Sequence, residues 1–125
     1  YRCLKPHGHI VIAEAIPPDD SIFDYYKAIF QLKESRNCYT LPDLLRMVRG
    51  AGFENIRFCT YKFDIRLLSW LDDNTLSLQT KQLLYDMHQS APIDFKEAYN
   101  MQNIPGTDDY RLRCKMALVS GTKSS

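Results

Sequence analysis

The sequence predicts an α/β fold, and three observations predict it. The run His9-Ile10-Val11-Ile12-Ala13 is continuously apolar, as in a strand covered on both faces. Two segments with apolar residues at helical spacing follow it, and a second strand comes after them. Tyr110 to Val119 then alternates cleanly and closes the chain. A strand, helix, strand order implies a right-handed parallel crossover, and the last strand can return antiparallel beside either of the others. The expected sheet is therefore mixed and three-stranded.

Each element has a local reason. A turn at Lys5-Pro6-His7-Gly8 feeds the first strand, and Pro17-Pro18 removes two backbone donors, ending it by Ala15. Asp20-Ser21 offers an N-cap for a helix through Ile22, Phe23, Tyr26, Ile29, Phe30 and Lys33 to Arg36. The second helix is expected from Leu41 to Arg49, with Thr40 as N-cap, Asp43 completing a capping box, Pro42 in the first turn, and Gly50 and Gly52 at the exit. Asn55 to Ile65 reads as a strand. Its apolar phase changes between Phe58 and Cys59, which requires either a bulge or burial on both faces.

From Arg66 to Asn100 the pattern is helical: a short segment with Leu67, Leu68, Trp70 and Leu71, a longer one with Leu76, Leu83, Leu84 and Met87, then Phe95, Ala98 and Tyr99 after the break at Pro92. Asn103 to Asp109 is a loop by its Pro105-Gly106 turn chemistry. In the final strand Leu112, Cys114, Met116 and Leu118 form one face, Arg111, Arg113 and Lys115 the other, and Gly121 to Ser125 is expected to fray. The whole reads as one domain over residues 1–125, with residues 66–100 inserted into it as helices, either a lid or an oligomerisation element.

Composition excludes several functions. An apolar fraction of 45% and a charged fraction of 25% are ordinary for a globular protein, which removes disordered and disulfide-scaffold classes. A net charge of +1 supplies no field for nucleic acid or anionic lipid, so neither is an expected partner. No apolar run approaches a membrane span, and no signal-peptide core follows Tyr1. A cytoplasmic location is expected. Cys3, Cys38, Cys59 and Cys114 show no metal-ligand spacing and read as reduced core thiols.

The run Leu4-Lys5-Pro6-His7-Gly8-His9-Ile10-Val11-Ile12-Ala13-Glu14 resembles the segment around the fifth strand of class I, Rossmann-like, S-adenosylmethionine-dependent methyltransferases of the type 11 kind, with His7 where a glycine is usual. Tyr39-Thr40-Leu41-Pro42-Asp43-Leu44-Leu45 followed by Ala51-Gly52-Phe53 is similar to the helix that leads to their sixth strand. The resemblance implies that this chain is the C-terminal half of such a domain, with its last strand lying antiparallel between the other two. It implies S-adenosylmethionine as cofactor of the complete domain and a small molecule as methyl acceptor. The Gly-rich loop and acidic residue that hold the cofactor in that family lie outside the matched segment, so the chain by itself is expected to bind no cofactor and to be inactive.

Ligands of open α/β sheets sit beyond the carboxyl ends of the parallel strands. That rule points to Glu14 and Pro17 after the first strand, and the following helix and its exit add Tyr26, Phe30, Arg36 and Tyr39 as an aromatic and cationic substrate wall. The plainer reading makes Glu14 a solvated carboxylate and the aromatics a core stripe. His7 and His9 flank the turn at the far end of the strand, and His88 shares no helix face with Asp86. A rival to the enzyme is a non-catalytic module that self-associates through the apolar edge of the first strand.

Overall fold

The computed structural model describes residues 8–34 and 37–123. Strand β1 spans His9–Ile16, helix α1 Phe23–Glu34, α2 Leu41–Gly50, β2 Phe53–Arg66, α3 Leu67–Leu71, α4 Leu78–Gln89, α5 Ile93–Ala98, β3 Gln102–Asn103 and β4 Tyr110–Lys123. The sheet order is β1-β4-β2, and the short β3 pairs with β4. The sheet thus has four strands where three were expected, because the chain at the start of the predicted loop pairs with the final strand, Gln102 opposite Arg111 and Asn103 opposite Tyr110.

β1 and β4 are antiparallel, with Ile12 opposite Val119 and Ile16 opposite Lys115. Residues 55 and 57 of β2 lie beside 120–122 of β4, and residues 57–59 beside 118–120, so β2 also runs against β4. β1 and β2 are therefore parallel, with the closing strand between them as expected. β4 is longer than the sequence indicates. His9 opposes Thr122, and the Lys123 amide donates to the Gly8 carbonyl at 2.8 Å, so residues 121–123 are paired strand, not a frayed end.

The chain divides into two compact units. The first holds the described residues of 1–16, 39–62 and 115–125, and the second those of 17–38 and 63–114. Unit 1 is β1, α2 and the adjoining parts of β2 and β4. Thr40 caps α2: its hydroxyl accepts from the Asp43 amide at 3.3 Å, while the Asp43 carboxylate accepts from the Thr40 amide at 3.1 Å. That backbone hydrogen bond is the main cause holding the Asp43 carboxyl below its ordinary pKa. Leu44 and Val48, four apart, then face Ile16, Phe53, Ala117 and Val119 in the core.

One sheet face in unit 1 receives α2, and the other receives nothing among the described residues. Val11 is 69% exposed and Phe58 55%. Where continuous burial was expected, β1 has, among the described residues, a neighbouring strand on one side only and alternates between exposed and half-buried positions over its first six residues. Cys59 is exposed and not a core thiol, whereas Cys38 and Cys114 are half-buried; Cys3 lies outside the described residues.

Unit 2 gathers α1, α3, α4 and α5 around Tyr26, Ile29, Leu67, Leu84, Phe95 and Leu112. Its first turn is a 3-10 turn over Asp20–Ile22 capped by Asp19, whose carboxylate accepts from the Ser21 amide at 2.9 Å. α1 consequently starts at Phe23 and not at Ile22.

Candidate functional site

In unit 2 the spacing of Tyr26, Ile29 and Phe30 puts all three on one face of α1. Opposite them stand Trp70 of α3, His88 of α4 and Phe95 of α5. The rings form a continuous chain: Tyr26 to Phe30 at 4.4 Å between centroids, Phe30 to Trp70 at 5.7 Å, Trp70 to His88 at 5.4 Å and His88 to Phe95 at 5.8 Å. Most contacts are tilted or edge-on, the arrangement that aromatic quadrupoles favour. Between them lies a cavity of about 20 Å³, enough for one water molecule.

Polar bonds fix this wall. The Tyr25 hydroxyl donates to the Met87 carbonyl at 2.5 Å and ties α1 to α4. Lys33 sits 3.6 Å from the Asp73 carboxylate and 4.7 Å above the Trp70 ring, its side chain only 10% exposed. An ammonium so placed gains from both the carboxylate and the ring face. α3 has no cap of its own, and the need is met from 41 residues downstream: the Asp109 carboxylate, 8% exposed, accepts from the Leu68 amide at 3.0 Å and the Tyr110 amide at 2.8 Å.

The ionisable groups of the wall are held uncharged. His88 is 4% exposed, and its Nδ1 lies 2.7 Å from the Leu84 carbonyl. A carbonyl only accepts, so Nδ1 carries the proton and Nε2 is left with its lone pair. Burial pushes the His88 pKa below that of a free imidazole, against a smaller opposing effect of the Leu84 bond. Burial raises the Cys114 thiol to about 12, with Asp64 adding to it, and raises the Tyr99 phenol in the same sense. The space these neutral groups enclose admits one water molecule and no larger group.

Tyr26 and Phe30, expected from sequence as substrate contacts, both line this cavity. Pro17 is fully buried in the same unit. Glu14 and Tyr39 belong to unit 1, where Glu14 is half-buried opposite Ala117 and Tyr39 packs against the core beneath α2. Arg36 lies outside the described residues. Sequence reasoning weighed Trp70 as a lid residue against helix packing and His88 against its neighbour Asp86, and placed neither in this wall. The signal for His88 was its four-residue spacing from Leu84, which places it on the buried face of α4; its distance in sequence from Asp86 says nothing about that. Among the described residues no group of three or more His, Cys, Asp or Glu side chains can hold a metal ion, and no helix is long and apolar enough to cross a membrane.

No protein-family model matches the chain, and no curated protein matches its sequence. Solved structures do match. A protein of Bacillus halodurans C-125 described as a "putative methyltransferase" superposes with a TM-score of 0.81 over 98% of this chain at 22% identity, and the match spans 58% of that protein. The YcgJ protein of Bacillus subtilis gives a TM-score of 0.81 over 98% of this chain at 13% identity, spanning 53% of it. The chain thus has the fold of these proteins and covers a little over half the length of each.

Proposed function

We propose that this chain is the substrate-side part of an S-adenosylmethionine-dependent methyltransferase that acts on a small molecule. The observation that carries the reading is the superposition of nearly the whole chain, helices of unit 2 included, on a protein described as a putative methyltransferase. The β1-β4-β2 order, with the last strand antiparallel in the middle, supports it. Of the acceptor contacts expected from sequence, Glu14 and Tyr39 belong to unit 1, and Pro17, Tyr26 and Phe30 to unit 2; each is proposed as a contact contributed by its own unit, with Trp70 and His88 beside Tyr26 and Phe30 in unit 2. In methyl transfer the protein's main task is to align the nucleophile with the methyl carbon and the departing sulfur, so no catalytic triad is required.

The residues of this chain do not fit the cofactor itself. A carboxylate or phosphate cradle needs clustered glycines whose missing Cβ leaves room for the ligand. Here the space above Gly121 is filled by Phe53 and Val48, while Gly50 and Gly106 stand apart in open surroundings. No step is derived through the cofactor. The test is calorimetry on a chain extended upstream through its own gene. Micromolar binding of S-adenosylmethionine by the extended chain supports the reading, and absence of heat from that chain refutes it.

A second reading is self-association through β1. Among the described residues this strand is at the edge of the sheet, and its exposed Val11 lies in an apolar run with Glu14 as its sole carboxylate. Sedimentation at increasing concentration tests it: reversible dimers abolished by Val11→Lys are expected, and a strict monomer removes the reading.

A further inference from the structure

A second concavity in unit 2 is unrelated to the aromatic cavity. It is an open groove of about 710 Å³ between α3, the first turns of α4 and the loop before β4, which is within the size range of small-molecule sites. Leu68, Leu71 and Leu78 supply its apolar surface. Leu78 is 83% exposed and Leu68 45%, so two large side chains flank the groove in contact with water. Ser77 fixes Leu78 there by capping α4, its hydroxyl accepting from the Thr80 amide at 3.1 Å.

The charges on the groove are of both signs and remain apart. Asp72, Asp108 and Lys81 all line it, yet among the described residues none of the three side chains forms an ion pair. The Asp108 main chain is held in place because its carbonyl accepts from the Tyr85 hydroxyl at 2.6 Å. Burial raises the Tyr85 pKa, followed by the influence of Tyr110 and of the Asp108 charge, so the phenol stays a donor at neutral pH.

From this juxtaposition of two carboxylates, one ammonium and an exposed leucine surface we infer that the groove binds a small zwitterion with an apolar body, of the α-amino-acid class. The ligand's ammonium faces Asp72 and Asp108, its carboxylate faces Lys81, and its apolar part covers Leu68 and Leu78. A monovalent ligand of either sign satisfies only one side of the groove, and an uncharged one neither.

The experiment is an amide NMR titration of the full chain with L-phenylalanine, and in parallel with phenethylamine and 3-phenylpropanoate, which each carry the same ring and one of its two charges. Phenylalanine is expected to bind about fivefold tighter than either half-ligand, the gain expected from one further solvent-accessible ion pair. Its shifts are expected at residues 68–72, 78–85 and 108. Lys81→Gln is expected to lower phenylalanine to the affinity of phenethylamine without changing the latter, and Asp72→Asn with Asp108→Asn to lower it to that of 3-phenylpropanoate. Equal affinities for the three probes, shifts elsewhere, or no saturation by phenylalanine would overturn the inference.

Discussion

Gly121 and Gly50 call for opposite responses to the same substitution. Gly121 is buried in β4 beneath α2, and a Cβ built on it would stand 2.9 Å from the Phe53 Cβ and 3.3 Å from Val48 Cγ1. Non-bonded carbons prefer about 3.5–4.0 Å, so the first contact must open by about half an ångström or more. Phe53 Cβ is fixed to the backbone of β2 and cannot rotate aside, and Val48 is held in the core of unit 1. Overpacking of this kind costs about 1–3 kcal/mol. Replacing glycine recovers about 0.5–1 kcal/mol through the unfolded chain. With a backbone-fixed Cβ as the obstacle the cost falls in the upper half of that range, about 2–3 kcal/mol, so Gly121→Ala is expected to destabilise by about 1–2.5 kcal/mol. Gly50 is the last residue of α2, exposed, with nothing within 4 Å of its Cβ position, and Gly50→Ala is expected to stabilise by about 0.5–1 kcal/mol through helix propensity. Urea unfolding followed by circular dichroism separates the two. At an m-value of about 1–3 kcal/mol/M the midpoints should differ by about 1 M. If Gly121→Ala unfolds within about 0.3 kcal/mol of the parent chain, the sheet and α2 are not packed at this distance and the reasoning about unit 1 fails; that margin is near the ordinary scatter of surface substitutions.

Other tests follow from unit 2. Because folding lowers the His88 pKa, the unfolded chain binds the extra proton more readily; the stability linked to His88 is present above the ordinary imidazole pKa and is lost as pH falls through the folded value. Urea midpoints should drop from pH 7.5 to pH 5, and His88→Phe should remove that part of the slope; an unchanged slope refutes the burial argument. Asp109→Ala leaves the Leu68 and Tyr110 amides without their acceptor and should cost about 1–3 kcal/mol, read in the same melts; a loss below about 0.5 kcal/mol, the size of an ordinary surface change, would show that water replaces the carboxylate. Cys59 is exposed while the Cys114 thiol is raised to about 12, so iodoacetamide at pH 8 should label Cys59 and spare Cys114 in mass spectra of the folded chain. Labelling of Cys114 at the rate of Cys59 would contradict its burial.

Much of unit 1 was legible because its signals are local. Thr40, Pro42 and Asp43 mark the start of α2 through hydrogen bonds within three residues, and the Pro-Pro pair after Ile16 limits β1. The helices of unit 2 were also visible from their spacing, down to the break at Pro92. The faces of the long strands were not. Periodicity assigns one face to Leu112, Cys114, Met116 and Leu118, yet the buried residues of β4 are Leu112, then Ala117, Val119 and Gly121. The change of phase falls where the strand leaves one core for the other: Leu112 belongs to the core of unit 2, Ala117 and Val119 to that of unit 1. β2 shows the same thing, with Phe53 and Ile56 packed in unit 1 and Ile65 in unit 2. Neither explanation offered by the sequence was complete. Asn55 adopts a left-handed backbone at φ 52°, three residues before the change of phase, and among the described residues most of the strand from Glu54 to Asp64 is exposed.

The same division decides what could be read of the site. Tyr26 and Phe30 announce themselves because they lie one helical turn apart on a single element. Trp70, His88 and Phe95 reach the same cavity from three other helices, and Asp109 caps α3 from beyond all of them. Contacts of this separation leave no periodic trace. A pattern within one helix identifies a face, while the partner of that face is chosen by the fold. The aromatic wall therefore had to be assembled from the structure, and its uncharged character follows from burial that no single residue in the sequence specifies.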